Sequence, residues 1–275
     1  MDTHPVRPPD PPGSSYDAEL TSRERAEVAR SAVEAAATDG TDLRLPEAVL
    51  ARYLDPPADT AYPLEYAFHV LGDVRGAMLL DYGCSDGLNA AALVRRGARI
   101  CALDISEALL RIARRRLLAN GVAGVSLVAG SAHALPLAAA SVDVVFGGAV
   151  LHHLELDRAA AELQRVLRPG GRAIFMEPVR NSRTMWAIRR LVPTRAADVS
   201  PSERPLTDTE LAAFGRGFTP GRSRAFRLPT TALLEAVPPL QRFGDASYGW
   251  DAALLRRVPG LARYATIRVL ELIRH

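Results

Sequence analysis

The chain has 275 residues, of which 48% are hydrophobic and 24% charged, and its formal net charge is +3. This length and balance predict one soluble α/β domain with helical additions. No apolar run reaches the ~20 residues of a membrane span, and the basic residues are scattered along the chain, so neither a membrane nor a nucleic-acid partner is expected.

The first quarter of the chain has a composition of its own. Residues 1–15 are rich in proline and are expected to form a disordered tail. Three helices are predicted after it, over 16–37, 45–53 and 62–71. Because they precede the alternation of strands and helices, we interpret 16–72 as a helical layer. It either covers a ligand site or is exchanged between the subunits of a homo-oligomer.

Two sequence features indicate the cellular compartment. The amino-terminal residues lack the basic start and the apolar stretch of a secretory signal. Cys84 and Cys101 fall in a turn and in a strand, where buried reduced thiols are the simplest interpretation. A cytoplasmic protein is therefore expected.

Strands and helices alternate from residue 73 onward. Strands are predicted at 78–82, 99–103, 125–129, 142–146 and 172–176, and helices at 87–96, 106–120 and 155–167. Such alternation is typical of a doubly wound, mostly parallel sheet. Later elements are expected at 180–191 (helix), 193–206 (loop), 208–215 (helix), 217–227 (strand), 251–257 (helix) and 264–273 (strand or helix), with 181–215 as an insertion that covers a substrate.

A glycine-rich turn joins the first strand to its helix. The turn runs from Asp81 to Gly87 and contains glycine at 83 and 87. Glycine lets the backbone bend sharply and lets a ligand approach it closely. The free N–H groups of the following helix would point into a crevice at the carboxyl edge of the sheet. The turn therefore predicts a site for a small ligand with a negatively charged end.

The segment Asp81-x-Gly83-Cys84-Ser85-Asp86-Gly87 resembles the D-x-G-C-G-x-G loop of class I S-adenosylmethionine (SAM)-dependent methyltransferases of the small-molecule branch. Ser85 replaces the middle glycine, so the loop is strained if its backbone needs a positive φ there. The resemblance covers residues 62–180 well and 181–275 loosely. It implies a Rossmann-like, seven-stranded sheet with an antiparallel last strand, SAM as cofactor, S-adenosylhomocysteine as product, and no metal.

Asp104 ends the second strand, where an acid can accept both hydroxyls of a ribose. The alternative role, capping the next helix, is already served by Ser106. The resemblance places the adenine beside residues 131–133 and the amino group of the methionine part at the backbone carbonyl of Gly147. The full set of cofactor contacts implied is Asp81, Gly83, Cys84, Ser85, Gly87, Asp104, Ile105, Ser131, Ala132, His133 and Gly147.

Two histidines, His152 and His153, follow the fourth strand at the mouth of the crevice. Adjacent residues point in different directions, so one is expected to meet the substrate and the other to cap the next helix. A neutral histidine is a suitable general base for a hydroxyl near pH 7. The pair resembles that of sugar and natural-product O-methyltransferases, which implies a catalytic carboxylate at Glu177. The alternatives are structural histidines and a strand-end acid paired with an arginine.

Several aromatic and apolar side chains outside the alternating core are candidates for the walls of an acceptor site. Ordinary packing is the alternative for each of them. An aromatic-lined cavity would suit an apolar metabolite, and ring faces could stabilise a cationic intermediate. The candidates are Tyr16, Tyr62, Tyr66, Met185 and Trp186.

Together these features predict methyl transfer from SAM to an oxygen or carbon of a small, apolar or glycosylated secondary metabolite, as in antibiotic biosynthesis. The residues 146–149, Phe-Gly-Gly-Ala, lack the Asn/Asp-Pro-Pro-Tyr motif of enzymes that methylate nucleic-acid bases. A second hypothesis is a SAM-binding protein that acts as a cyclase on a natural-product intermediate. A third, a nucleic-acid binder, predicts a salt-dependent affinity that is not expected here.

Overall fold

The computed structural model describes residues 15–38, 40–181, 204–236 and 238–275. Its helices are α1 Ser15–Thr38, α2 Glu47–Ala51, α3 Pro63–Leu71, α4 Leu88–Arg95, α5 Glu107–Ala119, α6 Leu156–Val166, α7 Asp208–Phe214, α8 Pro229–Ala236 and α9 Gly244–Arg257. Its strands are β1 Met78–Tyr82, β2 Arg99–Asp104, β3 Ser126–Ala129, β4 Val142–Gly148, β5 Leu167–Pro178, β6 Thr219–Phe226 and β7 Ile267–Ile273.

The strands form one seven-stranded sheet in the order β3-β2-β1-β4-β5-β7-β6. The first five run parallel, and β7 lies antiparallel between β5 and β6. This confirms the Rossmann-like, mostly parallel sheet with an antiparallel last strand. The chain moves outward from β1 through β2 to β3 and then returns to the other side of β1. The carboxyl ends of β1 and β4 therefore form a topological switch point, where open α/β sheets bind ligands.

Both faces of the sheet are covered by helices because its strands are apolar on both sides. Alternate residues of a strand point to opposite faces. Leu80 of β1 packs in a core with Leu163 of α6, whereas Leu79 packs in a second core with Phe68 of α3 and Leu93 of α4. This double burial is the reason that the parallel strands read as continuous apolar runs in the sequence.

Most predicted helices and strands are confirmed, with bounds within two or three residues of those expected. Two predicted helix N-caps are confirmed at the expected residues. The Ser106 hydroxyl accepts the N–H of Leu109 and caps α5. Thr207 caps α7 in a reciprocal capping box with Glu210. Two predictions needed correction: α9 begins at Gly244 rather than at residue 251, and β5 begins at Leu167 rather than at residue 172.

The carboxyl-terminal segment is a strand, which settles the choice left open by the sequence. β7 pairs with β5 on one side and β6 on the other, so its backbone hydrogen bonds are satisfied by two neighbours. The tail 1–15, the helix 180–191 and the loop 193–206 fall wholly or largely outside the described residues.

Helix α1 lies beside the carboxyl edge of β2 and β3. It packs on α5 through a small apolar cluster that joins Ala35 to Leu109 and Ile112. Two apolar side chains of α1 are exposed, Val28 at 40% and Val33 at 72%. No helix in the described ranges combines the length and the apolarity that a membrane crossing needs.

Candidate active site

The glycine turn after β1 has a backbone that larger residues could not adopt. Gly83 and Gly87 both have a positive φ, of 75° and 81°. A Cβ added at Gly83 would lie 2.6 Å from Cγ2 of Val150. Ser85 has a φ of 47°, so the strain expected at this position is present, at roughly 1 kcal/mol. The backbone conformation of the turn is therefore maintained by contacts with surrounding residues such as Val150.

Asp104 fixes this turn from the end of β2. Its Oδ2 accepts the N–H of Ser85 and its Oδ1 accepts the N–H of Ser106, both at 2.8 Å. Burial raises the pKa of Asp104, and the two backbone N–H groups act in the opposite direction. A carboxylate oxygen has two acceptor sites, so each oxygen can still receive a ligand hydroxyl.

Asp81 lies beneath the turn at the end of β1. It is completely buried, and neither carboxylate oxygen receives a hydrogen bond from any described residue. Burial, and next the charge of Asp104, raise the pKa of Asp81 to about 7. A buried acid without donors is rare in folded proteins and calls for a functional explanation. The group that would complement it is a cation.

A cavity of about 340 Å³ opens above these residues, between the carboxyl ends of the strands and α1. Seven of the predicted site residues line it: Gly83, Ser85, Asp104, Ile105, Ala132, His133 and His153. Helix α1 belongs to the predicted helical layer, for which covering a ligand site was one of two alternatives, and it forms one wall of the cavity. The residues of this wall were not predicted: they are Arg23, Glu24, Glu27, Arg30, Ser31 and Glu34. These α1 residues recur at helical spacing. In a sequence, however, a polar helix face that meets solvent has the same pattern as one that lines a cavity.

Other predicted cofactor residues support the cavity without lining it. Cys84 is buried below the turn, and Gly87 begins α4. Gly147 is packed so closely that an added Cβ would lie 2.7 Å from the ring of Phe175. Its neighbour Gly148 lines the cavity instead, because consecutive strand residues face opposite sides. Ser131 is hydrogen-bonded to Glu24 of α1.

Glu177 is a fully buried carboxylate at the end of β5 that organises the turn after β4. Its Oε1 accepts the N–H groups of Val150 and Leu151, at 2.8 and 2.9 Å. Its Oε2 lies 3.1 Å from Nδ1 of His152. These contacts fasten the short 3-10 turn Leu151–His153 and orient the imidazole of His152.

The two histidines point to different partners, as expected for adjacent residues, but the prediction that one of them caps the next helix is wrong, because α6 is capped by the side chain of Glu155. Their ring centroids are 4.0 Å apart, but Nδ1 of His153 lies 3.4 Å from Oε2 of Glu27 on α1. Burial, and next the neighbouring His152, lower the pKa of His153 to about 4. His153 is therefore neutral at pH 7 and contacts the helix that covers the cavity.

A second cavity of about 560 Å³ is lined by Met176 near the end of β5 and Ile267 at the start of β7. Tyr62 stacks on Tyr248 with ring centroids 5.1 Å apart, and the guanidinium of Arg52 lies 4.6 Å from the Tyr62 ring centroid. Met176 lines this cavity, and its Cε lies 3.9 Å from where a Cβ of Gly148 would be. Gly148, which lines the first cavity, and Met176, which lines the second, are register neighbours on β4 and β5.

Tyr66, another predicted acceptor residue, does not line this cavity. Tyr66 packs on Phe226, with ring centroids 5.3 Å apart, and on His69. The side chain of Tyr16, and the whole of Met185 and Trp186, lie outside the described residues.

The residues of the first cavity, together with the buried Asp81, which does not line it, fit SAM. Asp81 is a buried acid that would complement the ammonium of the methionine part, and Asp104 would accept the ribose hydroxyls. Gly83 and Gly148 leave the backbone open to the ligand. Each of these features belongs to residues that the structure describes.

Comparisons with known proteins identify a methyltransferase domain in this chain. Residues 80–175 match the family model described as a methyltransferase domain. A malonyl-[acyl-carrier protein] O-methyltransferase of Methylococcus capsulatus is 45% identical over 102 residues, which are 36% of this chain and 36% of the relative. The chain spans between 28% and 44% of the first three curated relatives that it matches.

Solved structures share the fold. An S-adenosylmethionine-dependent methyltransferase from Mesorhizobium loti has a TM-score of 0.53 and 21% identity, over 78% of this chain and 98% of that one. The [4+2]-cyclase SpnF has a TM-score of 0.53 and 23% identity, over 73% of this chain and 75% of that one. Both likenesses concern the fold alone.

Proposed function

Because this chain belongs to the class I S-adenosylmethionine-dependent methyltransferases, we propose that it transfers a methyl group from SAM to an oxygen or carbon of a small secondary metabolite. The observation on which the proposal rests is that Gly148 and Met176, register neighbours at the carboxyl ends of β4 and β5, line two different cavities. One has the chemistry to hold SAM, and the other is large enough for an acceptor.

The chain's own residues would hold and orient the two reactants. Asp81 and Asp104 would bind the charged and the sugar parts of the cofactor, as described above. SAM supplies a methyl group that is already activated on a sulfonium. The protein must then align the acceptor and exclude water, and alignment alone can account for much of the rate. No metal is given a role in this proposal.

We assign His152 as the general base for an acceptor hydroxyl because Glu177 orients its imidazole, although of the two histidines only His153 lines the first cavity. The carboxylate of Glu177 accepts the Nδ1–H of His152, which leaves the lone pair on Nε2. That nitrogen would accept the proton of an acceptor hydroxyl. His153 faces Glu27 instead, so its assigned role is to position α1.

The second cavity supports a glycosylated or otherwise hydroxylated acceptor over a wholly apolar one. The stacked rings of Tyr62 and Tyr248 offer an apolar platform. Beside them the wall carries Arg52, Glu65, Gln241, Arg242 and Asp245. An acceptor made only of hydrocarbon would remove water from these polar groups without replacing its hydrogen bonds.

Label transfer tests the proposal directly. The protein is incubated with methyl-labelled SAM and a small-molecule extract of the source organism, and products are followed by mass spectrometry. Transfer of the label to a metabolite supports a methyltransferase. The alternative function, a cyclase that keeps SAM as a structural ligand, predicts conversion of a metabolite with no label in the product.

Two substitutions then test the assigned base. His152→Ala should lower kcat by about 10²–10⁴-fold and leave the affinity for S-adenosylhomocysteine unchanged. Glu177→Gln should act similarly, because an amide N–H facing Nδ1 would force the proton onto Nε2. His153→Asn is the matched control, with a smaller loss of kcat. Normal turnover in His152→Ala would remove the general-base assignment.

A further inference from the structure

The acidic face of α1 is bonded to the loop that follows β3. Glu24 Oε1 accepts hydrogen bonds from the hydroxyl of Ser131 and from Nδ1 of His133, the latter at 2.9 Å. Glu24 also lines the first cavity. A side chain that is 109 residues from His133 in the chain thus completes the wall at this end of the cavity.

The hydrogen bonds of His133 define which of its ring nitrogens carries the proton. Its Nε2 lies 2.9 Å from the backbone nitrogen of Glu155, and a backbone N–H can only donate. Nε2 therefore has no proton, so Nδ1 carries one and donates it to Glu24. Oε1 of Glu24 then has two donors, whereas Oε2 receives a hydrogen bond from none of the residues that the structure describes.

The order of the strands would direct the adenine of a bound nucleoside toward Glu24. The glycine turn follows β1, Asp104 ends β2 and Ser131 follows β3, and these strands are consecutive neighbours in the sheet. Adjacent strands are ~4.8 Å apart, so the β3 end lies ~10 Å from the β1 end. A nucleoside whose sugar meets Asp104 therefore extends its base toward the loop at Ser131.

We propose that Glu24 Oε2 accepts a hydrogen bond from the exocyclic amino group of the cofactor's adenine, and that Glu24 thereby selects an aminopurine over a 6-oxopurine. This inference rests on the proposed function, since it takes the first cavity as the SAM site. Adenine presents an amino donor on this edge. A 6-oxopurine would place its carbonyl oxygen against the carboxylate, so two acceptors would meet with no proton between them.

The substitution Glu24→Gln distinguishes recognition of the adenine amino group from the other role of Glu24, which is to hold α1 against the loop after β3. The amide oxygen of glutamine can still accept from Ser131 and His133, which keeps α1 in place. The amide NH₂ then stands where Oε2 stood, and an acceptor is replaced by a donor. Glu34→Gln is the matched control, since Glu34 lies on the same helix, lines the same cavity and loses the same charge.

The experiment measures binding by isothermal titration calorimetry with two probes, S-adenosylhomocysteine and its 6-oxo analogue S-inosylhomocysteine. The wild type should prefer the adenosyl compound by about tenfold to a hundredfold, as for a hydrogen bond to a charged group. In Glu24→Gln this ratio should fall at least about tenfold, because the new donor suits the carbonyl. Glu34→Gln should keep the wild-type ratio.

The outcomes distinguish the inference from the proposed function. If the wild type binds neither probe, the proposed function fails. If it binds S-adenosylhomocysteine but Glu24→Gln keeps the wild-type ratio, or weakens both probes equally, Glu24 only anchors α1 and the inference is overturned. Ser131→Ala adds a second check: it removes one bond of the anchor but leaves the carboxylate, so the preference for the adenosyl compound should persist.

Discussion

Replacing Asp81 with asparagine should make stability and ligand binding change in opposite directions. The pKa of Asp81 is raised to about 7, because burial disfavours the charged form and Asp104 adds repulsion. The folded state therefore holds a proton that the unfolded state has released at pH 5. This stabilisation is fully present below the ordinary pKa of 3.8 and is lost as the pH rises through about 7.

The size of the effect follows from the shift. A difference of about 3 pKa units corresponds to about 4 kcal/mol in total, of which about 3 kcal/mol is lost between pH 5 and pH 8. Asparagine has nearly the same shape but no charge, so this loss should be absent from Asp81→Asn. Relative to the wild type, the variant should gain about 3 kcal/mol in free energy of unfolding over the same interval.

Urea denaturation at pH 5, 6, 7 and 8 measures this difference, with Asp42→Asn at an exposed position as the control. Calorimetry at pH 8 should show Asp81→Asn binding S-adenosylhomocysteine about tenfold to a hundredfold more weakly, since the ligand's ammonium loses its partner. The reasoning is refuted if wild type and variant have parallel pH profiles, or if the variant binds as tightly as the wild type.

Two further substitutions each test one contact of the site, and a third, at Thr207, is a control outside it. Gly83→Ala should abolish binding of S-adenosylhomocysteine in calorimetry, because its methyl group would overlap Val150; retained affinity would show that the turn can relax. Asp104→Ala should weaken that binding by at least about tenfold while circular dichroism shows an intact fold, and an unchanged dissociation constant would remove the ribose assignment. Thr207→Ala breaks the capping box with Glu210 and should lower the free energy of unfolding by about 1 kcal/mol in urea, with the ligand affinity unchanged.

The strand, glycine turn and helix that begin the core could be predicted from the sequence because each depends on neighbouring residues. A glycine with positive φ, as at 83 and 87, is required by the local turn. Ser106 caps the helix that follows it, and Asp104 takes its place at the end of a strand. Such signals act over a few residues, so they need no knowledge of the rest of the fold.

The sequence alone left open which residues meet across the cavity. Glu24 and His133 are 109 residues apart, and the sequence of α1, although compatible with a cover over a ligand site, does not indicate which of its residues meet the loop after β3. Glu177 was predicted as a catalytic acid, but only the packed structure shows that its carboxylate holds the turn after β4 and faces His152. The second cavity combines residues near 52, 62, 176 and 248.

The sequence by itself thus determined the doubly wound sheet, the glycine turn and the acid after β2, because periodicity, turn chemistry and caps are properties of short segments. The tertiary structure decided that Gly148 rather than Gly147 faces the cavity, that α1 closes it, and that the two histidines have different partners. These choices depend on strand register and on contacts between distant segments, which become defined only when the chain packs.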